Sequence, residues 1–597
     1  MAGGVFLAIL MAAMPSIAWQ PASGPLKTRW SADVSPRHAL QEYPRPQMTR
    51  KTWMNLNGLW EYAVTDKDAP EPVGFQGQIL VPFPIQSALS GVMQPVSETQ
   101  ALWYRRSFDL PRSWIGRRVL LHFGAVDFQA TVWVNGKKAG EHRGGYDGFG
   151  FDITDFLKPG QPNEIVVSAW DPTDAGTQPM GKQMREPHGI WYTPTTGIWQ
   201  TVWLEPVSAA HIQNIEITPD IDRQIVRIHP TTTARLGSYQ IEATVWDGMR
   251  KVADTEAAAG AEMVLPVRKP KLWSPESPHL YNLTVSLKIG GRVLDQVKSY
   301  FGMRKISLGK DANGFTRMLL NNKPYFEFGP LDQGFWPDGI YTAPTDEALK
   351  SDIVMTKKLG FNMARKHVKV EPDRWYYWCD KLGLLVWQDM PSGDKHISPK
   401  EPDITRSPES GAEFEKELKA MIAGRRNHPC IVMWVPFNEG WGQWDTARIT
   451  KLVQDIDPSR LVDDASGWRD RGVGSVHDMH KYPGPGCPDP EPNRAVVLGE
   501  FGGLGLPVRG HTWQAEKNWG YRSYTNSTDL TEAYLKVTDP LPSLVKEKGL
   551  SAAVYTQTTD VEIEVNGLMT YDRALVKPDR KRISANNRRI IREADGH

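Results

Sequence analysis

Ile431-Val-Met-Trp-Val-Pro-Phe-Asn-Glu-Gly-Trp-Gly442 is the stretch whose reading decides the fold. Its first seven residues are mostly β-branched and aromatic, show no polar alternation, and lie between Pro429 and Gly440. Such a run fits a strand covered on both faces, as in a parallel sheet clothed by helices. It leads into Asn438 and Glu439. Parallel barrels keep their chemistry at the carboxyl ends of their strands, so Glu439 is a candidate catalytic acid. A lone Glu in that place is otherwise an ordinary solvated loop residue, and the flanking chain decides between the two.

From about Leu308 onward the texture is strand, helix, strand, helix. Tyr325–Pro330, Phe361–Lys366, Leu384–Met390, Ile431–Phe437, Leu461–Ser466, Ser475–Tyr482, Ala495–Phe501 and Ala552–Thr558 read as eight strands. Between several of them lie helical periods. Phe414, Leu418, Met421 and Ile422 recur at i, i+4, i+7 and i+8; Ile449, Leu452, Val453 and Ile456 recur at i, i+3, i+4 and i+7. Pro372 stands where a helix can open, and Gly360 and Gly383 where helices can close. Eight strands alternating with helices predict a (β/α)8 TIM barrel over 309–597, with poor helical patterning between the fifth and seventh strands.

A barrel calls for a second acid at another strand end, and Ala495-Val-Val-Leu-Gly-Glu500-Phe-Gly-Gly503 supplies it after the seventh strand. Two carboxyl groups on a glycosidic bond divide the work: one protonates the leaving oxygen, the other stays ionised and attacks the anomeric carbon. A pair at matching strand ends is far more specific than either Glu alone.

Upstream, 19–205 is built of short alternating segments such as Trp103–Phe108, Arg118–Phe123, Thr131–Val134 and Glu164–Trp170, which predicts an antiparallel β-sandwich. Asn135-Gly136 is a hairpin signal, since both residues tolerate positive φ. A second all-β block at 206–308, with Ile241–Trp246 and Tyr281–Leu287 alternating in period two, suits an immunoglobulin-like sandwich. Residues 1–18 carry an apolar run from Val5 to Ala13 ending in Ser16-Ile-Ala18, and read as a secretory signal peptide, which implies a periplasmic or extracellular site of action.

Composition agrees with a globular chain of several domains: 597 residues, 40% hydrophobic and 23% charged. Lys+Arg 70 against Asp+Glu 69 provides no electrostatic case for nucleic acid, and no stretch is long enough to span a membrane. Cys379, Cys430 and Cys487 are too few and scattered for a disulfide framework or a zinc site. His477 and His480 have no third metal ligand beside them in the sequence. No cofactor and no metal are expected; the expected partner is a carbohydrate, and oligomeric assembly is left open.

The same residues resemble glycoside hydrolase family 2, the group of β-galactosidases, β-glucuronidases and β-mannosidases, from about Trp53 to the C-terminus. The motifs are Asn57-Gly-Leu-Trp60, Trp103-Tyr-Arg-Arg106, Gly197-Ile-Trp199, Leu272-Trp-Ser-Pro-Glu276, Pro278-His-Leu-Tyr281, Phe301-Gly-Met-Arg304, Asn438-Glu439 and Gly499-Glu500. The resemblance implies a jelly-roll sugar-binding domain, an immunoglobulin-like domain and a catalytic barrel. It also implies a retaining mechanism with Glu439 as acid/base and Glu500 as nucleophile. By the same likeness Asn438 donates to the sugar 2-hydroxyl, Arg365 holds the nucleophile ionised, and Tyr482 bonds it. His480, Asp332 and Gln557, at other strand ends, stand between substrate contact and scaffold. Of Trp336, Trp387, Trp441, Trp444 and Trp468, all at or near strand ends, Trp441 is carried as a candidate sugar platform, with core packing the competing reading for each.

Departures from the family bear on the sugar. Where its β-glucuronidases carry an Asn-x-Lys element for the uronate carboxylate, this chain has Asn566-Gly-Leu568, with Arg573 and Lys577 as nearby substitutes. The Arg-His-Glu-His signature of its β-galactosidases is replaced by Gly329-Pro-Leu-Asp-Gln-Gly-Phe-Trp-Pro-Asp-Gly339. The leading expectation is an exo-acting retaining β-galactosidase-like enzyme. An α-L-arabinofuranosidase or β-uronidase is the alternative within the family, and a non-catalytic carbohydrate-binding protein the alternative outside it.

Overall fold

In a computed structural model, residues 19–234, 238–398 and 400–595 are described; the expected signal peptide at 1–18 lies outside them. The first domain pairs a six-stranded antiparallel sheet with a four-stranded one. Their inward side chains, among them Trp60, Leu102, Tyr104, Leu121, Phe123, Val132 and Ile165, form one apolar core. The Asn135-Gly136 turn joins Gln129–Val134 to Lys137–Arg143 with φ of 52° and 78°, the left-handed conformations that a two-residue hairpin needs. The second domain stacks a three-stranded sheet on a four-stranded one over a core that includes Ile228, Ala243, Leu283 and Val297. A buried cluster ties the two domains together: Arg50 bridges Glu205 of the first and Asp295 of the second at 2.8 Å each.

A three-stranded sheet, Ile306–Lys310, Thr316–Leu320 and Lys323–Pro324, then lies under the barrel, where Met318 donates its N–H to Ser551 Oγ at 3.2 Å. Counting only barrel strands, these are β1 (Glu327–Asp332), β2 (Met363–Lys366), β3 (Leu385–Asp389), β4 (Ile431–Val435), β5 (Leu461–Val462), β6 (Val476–Lys481), β7 (Ala495–Gly502) and β8 (Leu550–Thr556). All pair in parallel, in the order β5-β4-β3-β2-β1-β8-β7-β6. The β5/β6 seam carries no ladder; the Ser475 N–H to Val462 O bond at 2.7 Å crosses it. All five residues of β4 are fully buried.

Helices α1 (Asp346–Lys358), α2 (Asp373–Leu382), α3 (Pro408–Arg425) and α4 (Thr446–Ile456) fill the first four crossovers. The apolar stripe of α3, Phe414, Leu418, Met421 and Ile422, joins the core of β4. Ser407 caps α3 by accepting from Ser410 N, Pro372 precedes α2, and Gly383 ends α2 at φ 74°. No helix joins β5 to β6 or β6 to β7 among the described residues.

Inside the barrel, Glu327 accepts from Trp387 Nε1 at 2.6 Å while its other oxygen has no partner. Burial raises its pKa to about 8. An unfolded Glu titrates near 4.3, so between about pH 4 and 8 the folded state holds a proton that the unfolded chain releases. The stabilising contribution is therefore complete below about pH 4 and is lost as pH rises toward 8, by up to ~1.4 kcal/mol per pH unit. Glu327→Gln should flatten that slope in urea unfolding measured from pH 5 to 8; an unaltered slope would show that Glu327 is not its source.

Candidate active site

Glu439 follows β4 and Glu500 lies within β7. Glu439 takes a left-handed backbone, φ 51°, fixed by its N–H donating to Ser466 O at 2.9 Å. A non-glycine residue held there stores strain, a recurrent feature of functional positions. Glu500 sits in β7 itself, inside the Ala495–Phe501 run read as the seventh strand. Gly499 and Glu500 together oppose the single residue Val554 of β8, a bulge that re-aims the side chain. Only glycine fits at 499: a Cβ would come within 2.0 Å of Asp478 Oδ2, and the Gly499 N–H donates to Asp478 Oδ1.

One oxygen of each acid and a ring nitrogen of His480 all lie within 4.8 Å of one another. An oxygen-to-oxygen approach of that size accords with the ~5 to 5.5 Å carboxyl separation of retaining glycosidases rather than the ~6.5 Å or more that makes room for an inverting enzyme's water. The surroundings of the two acids differ. Glu500 is buried, which by itself raises its pKa, yet the charges of His480 and Arg365 and the Tyr482 hydroxyl bring it down to about 2. Arg365 Nη1 donates to Glu500 Oε1 at 3.2 Å and Tyr482 Oη to Oε2 at 2.5 Å. Glu439 is partly exposed and bonded to His480 Nδ1 at 2.7 Å. Burial lowers the pKa of His480, but Glu500, Glu439 and Asp478 together raise it above the usual histidine value.

Arg365, fully buried on β2, organises the floor. It also grips Asp389 at 2.8 and 3.1 Å and donates from Nη2 to Asn438 Oδ1 at 2.7 Å. That bond fixes the Asn438 amide and leaves its buried Nδ2 without a partner, a donor ready for a hydroxyl. Tyr482 stacks on Tyr521 with ring centres 3.8 Å apart. Trp441 packs against Trp191 of the first domain at 5.0 Å, and the half-exposed Trp468 meets His480 edge-on at 5.5 Å. Trp336 and Trp387 are core residues.

Two other candidates are occupied. Asp332 accepts from Gly334 N and from Lys366 Nζ, each at 2.9 Å. Gln557 donates to Asn566 at 2.6 Å and accepts from Gln333 at 2.8 Å. Both shape the β1 and β8 loops, and all four of their side-chain polar atoms have protein partners.

The metal reading needs one correction. His480 stands with Glu439 and Glu500, and His477 with Asp470 and Glu491, so each histidine does have two potential co-ligands, brought together from separate segments that sequence adjacency does not reveal. In each group an arginine already neutralises carboxylate charge: Arg365 at Glu500, and Arg494 at both Asp470 and Glu491.

Sequence reasoning missed His367, hydrogen-bonded to Asp389 at 3.0 Å and 4.0 Å from Glu500 Oε1, although His367 follows Arg365 at a strand end. It also missed Lys182, from the first domain. The segment 179–193 covers one side of the mouth: Met180 and Gly181 donate to Ser392 O, Thr193 N to Glu562, and Tyr192 Oη to Glu564.

Comparison with known proteins completes the picture. Residues 71–191 match the glycosyl hydrolases family 2 sugar binding domain, 210–304 the glycosyl hydrolases family 2 model, and 317–481 the glycosyl hydrolases family 2 TIM barrel domain. A β-galactosidase of Thermoanaerobacter pseudethanolicus is 28% identical over 378 residues, covering 60% of this chain and 47% of that protein. The chain thus spans about half the length of this relative, and 34% of a putative β-glucuronidase of Formosa agariphila. A β-glucuronidase of Streptococcus agalactiae is 23% identical over 573 residues, covering 85% of this chain and 90% of that one. The β-glucuronidase structure from Ruminococcus gnavus superposes with a TM-score of 0.73 over 92% of this chain and all of that one, at 19% identity, a likeness of fold. Matched in order by three models of one family, each on the domain it describes, the chain belongs to the glycosyl hydrolases of family 2.

Proposed function

We propose that the protein is an exo-acting retaining glycosidase that releases a terminal β-linked sugar by double displacement. The carrying observation is the Glu439/Glu500 pair within 4.8 Å, with one acid depressed to about 2 and the other facing a histidine. Glu500, ionised, attacks the anomeric carbon while Glu439 protonates the departing oxygen; water activated by Glu439 then cleaves the glycosyl ester. The 2.7 Å bond from His480 is a path along which Glu439 can receive its proton. The cover formed by 179–193 suits a terminal sugar. Export rests on the apolar N-terminal segment alone.

Two sugars are weighed. A β-galactoside is favoured by the loop after β8, which has no free cation: Lys577 is bonded to Asp560, Leu506 O and Val565 O, Arg573 to Asp352, Phe335 O and Tyr571 O, and Leu568 is core. A β-uronide is favoured by the β-glucuronidases among the relatives named above and by Lys182. A panel of aryl glycosides tests the activity. Turnover of one or more members is expected; none, with measurable heat of glycan binding, would replace the enzyme with a binding protein on the same scaffold.

A further inference from the structure

Building on the glycosidase reading, we propose that Lys182, carried by the first domain, recognises an anionic group of the substrate, a carboxylate or sulfate close to the scissile bond. Lys182 is 6% exposed. Its ammonium lies 5.6 Å from the ring centre of Trp441 and 5.9 Å from that of Tyr192. Ring faces attract a cation without neutralising it, so the Lys182 charge stays open to a counter-charge from a ligand. The other buried lysines near the mouth have theirs: Lys366 meets Asp332 and Glu371, Lys369 meets Glu371, and Lys577 meets Asp560. Among the described residues no carboxylate lies within ion-pair distance of Lys182, and its Nζ makes no hydrogen bond.

Its location ties this unmatched charge to the reaction. Trp441 is two residues from Glu439. After burial, the Lys182 charge is the strongest influence lowering the pKa of His367, and His367 is 4.0 Å from Glu500. The backbone beside it is pinned: Gly181 has φ 66°, donates to Ser392 O, and has no room for a Cβ, which would come within 2.7 Å of Val368 O and 2.8 Å of Tyr341 Oη. With Arg573 and Lys577 engaged after β8, an anion entering the mouth meets a cation supplied by a different domain.

The test compares kcat/KM for matched aryl β-D-glucuronide, β-D-galacturonide, β-D-glucoside and β-D-galactoside. Disaccharides with a neutral terminal sugar linked to a sulfated or uronate second sugar complete the set. Wild type, Lys182→Met and Lys182→Arg are assayed, with thermal melting to establish that each variant is folded. An anionic substrate should outperform its neutral match. Lys182→Met should lower that preference on the order of a hundredfold, mainly through KM, and Lys182→Arg should restore part of it. A response confined to aryl uronides puts the charge on the released sugar; one confined to the disaccharides puts it on the leaving sugar. An unchanged preference in Lys182→Met overturns the inference, as does a wild type that turns over only neutral members, and in both cases the glycosidase reading survives. Should nothing turn over, that reading falls, and titration calorimetry with free D-glucuronate and D-galacturonate decides: heat that is lost in Lys182→Met supports the role of Lys182, whereas no heat or equal heats overturn it.

Discussion

Glu500→Ala should lower kcat/KM on aryl glycosides by at least ~10⁴-fold, because nothing else in the pocket can form the glycosyl ester. Glu500 is the acid held ionised by Arg365 and Tyr482 at 3.2 and 2.5 Å, and its removal leaves a cavity facing the anomeric carbon. Azide is small enough to enter that cavity and attack from the same face, so added azide should restore part of the rate. The product has undergone one displacement in place of two, and is therefore a glycosyl azide of inverted, α configuration. Activity within tenfold of wild type would remove Glu500 from the nucleophile's place.

Glu439→Ala should separate the two half-reactions. A leaving group that departs without a proton, such as dinitrophenolate, should still form the glycosyl ester, which then accumulates because no base activates water. The expected signature is a burst followed by slow turnover, with KM falling alongside kcat. Glycosides with poor leaving groups should lose ~10² to 10⁴-fold, the usual worth of general acid catalysis. Azide here attacks the ester from the opposite face and yields the β-glycosyl azide. Opposite azide anomers from the two variants would assign the two roles independently; equal losses for good and poor leaving groups would deny Glu439 the acid's role.

Much of this was legible in the sequence for physical reasons. A strand buried on both faces cannot alternate, so Ile431–Val435 stood out; each of the eight barrel strands overlaps a stretch read as one, although β6, Val-His-Asp-Met-His-Lys, alternates in burial. The missing helical period after β5 and β6 was a true absence, since those crossovers are irregular. The two acids were singled out by their rank along the barrel, and the structure brings them together. Legibility ended where partners come from elsewhere. Nothing local in Gly499-Glu500 announces the bulge, which depends on Asp478 one strand away. Asp332 and Gln557 occupy strand ends like the two acids, yet Gly334, Lys366, Gln333 and Asn566 take up their polar atoms. Lys182 belongs to another domain, and only the packing of 179–193 over the mouth brings it to the site.

The spacing of the acids makes the most direct claim, that the sugar leaves with its configuration retained. Proton NMR of wild-type turnover on an aryl β-glycoside, recorded before mutarotation, reads this outcome. The β-anomer should appear first and the α-anomer grow in only at the mutarotation rate. The α-anomer appearing first would contradict the account, because inversion needs a water between carboxylates that here stand within 4.8 Å.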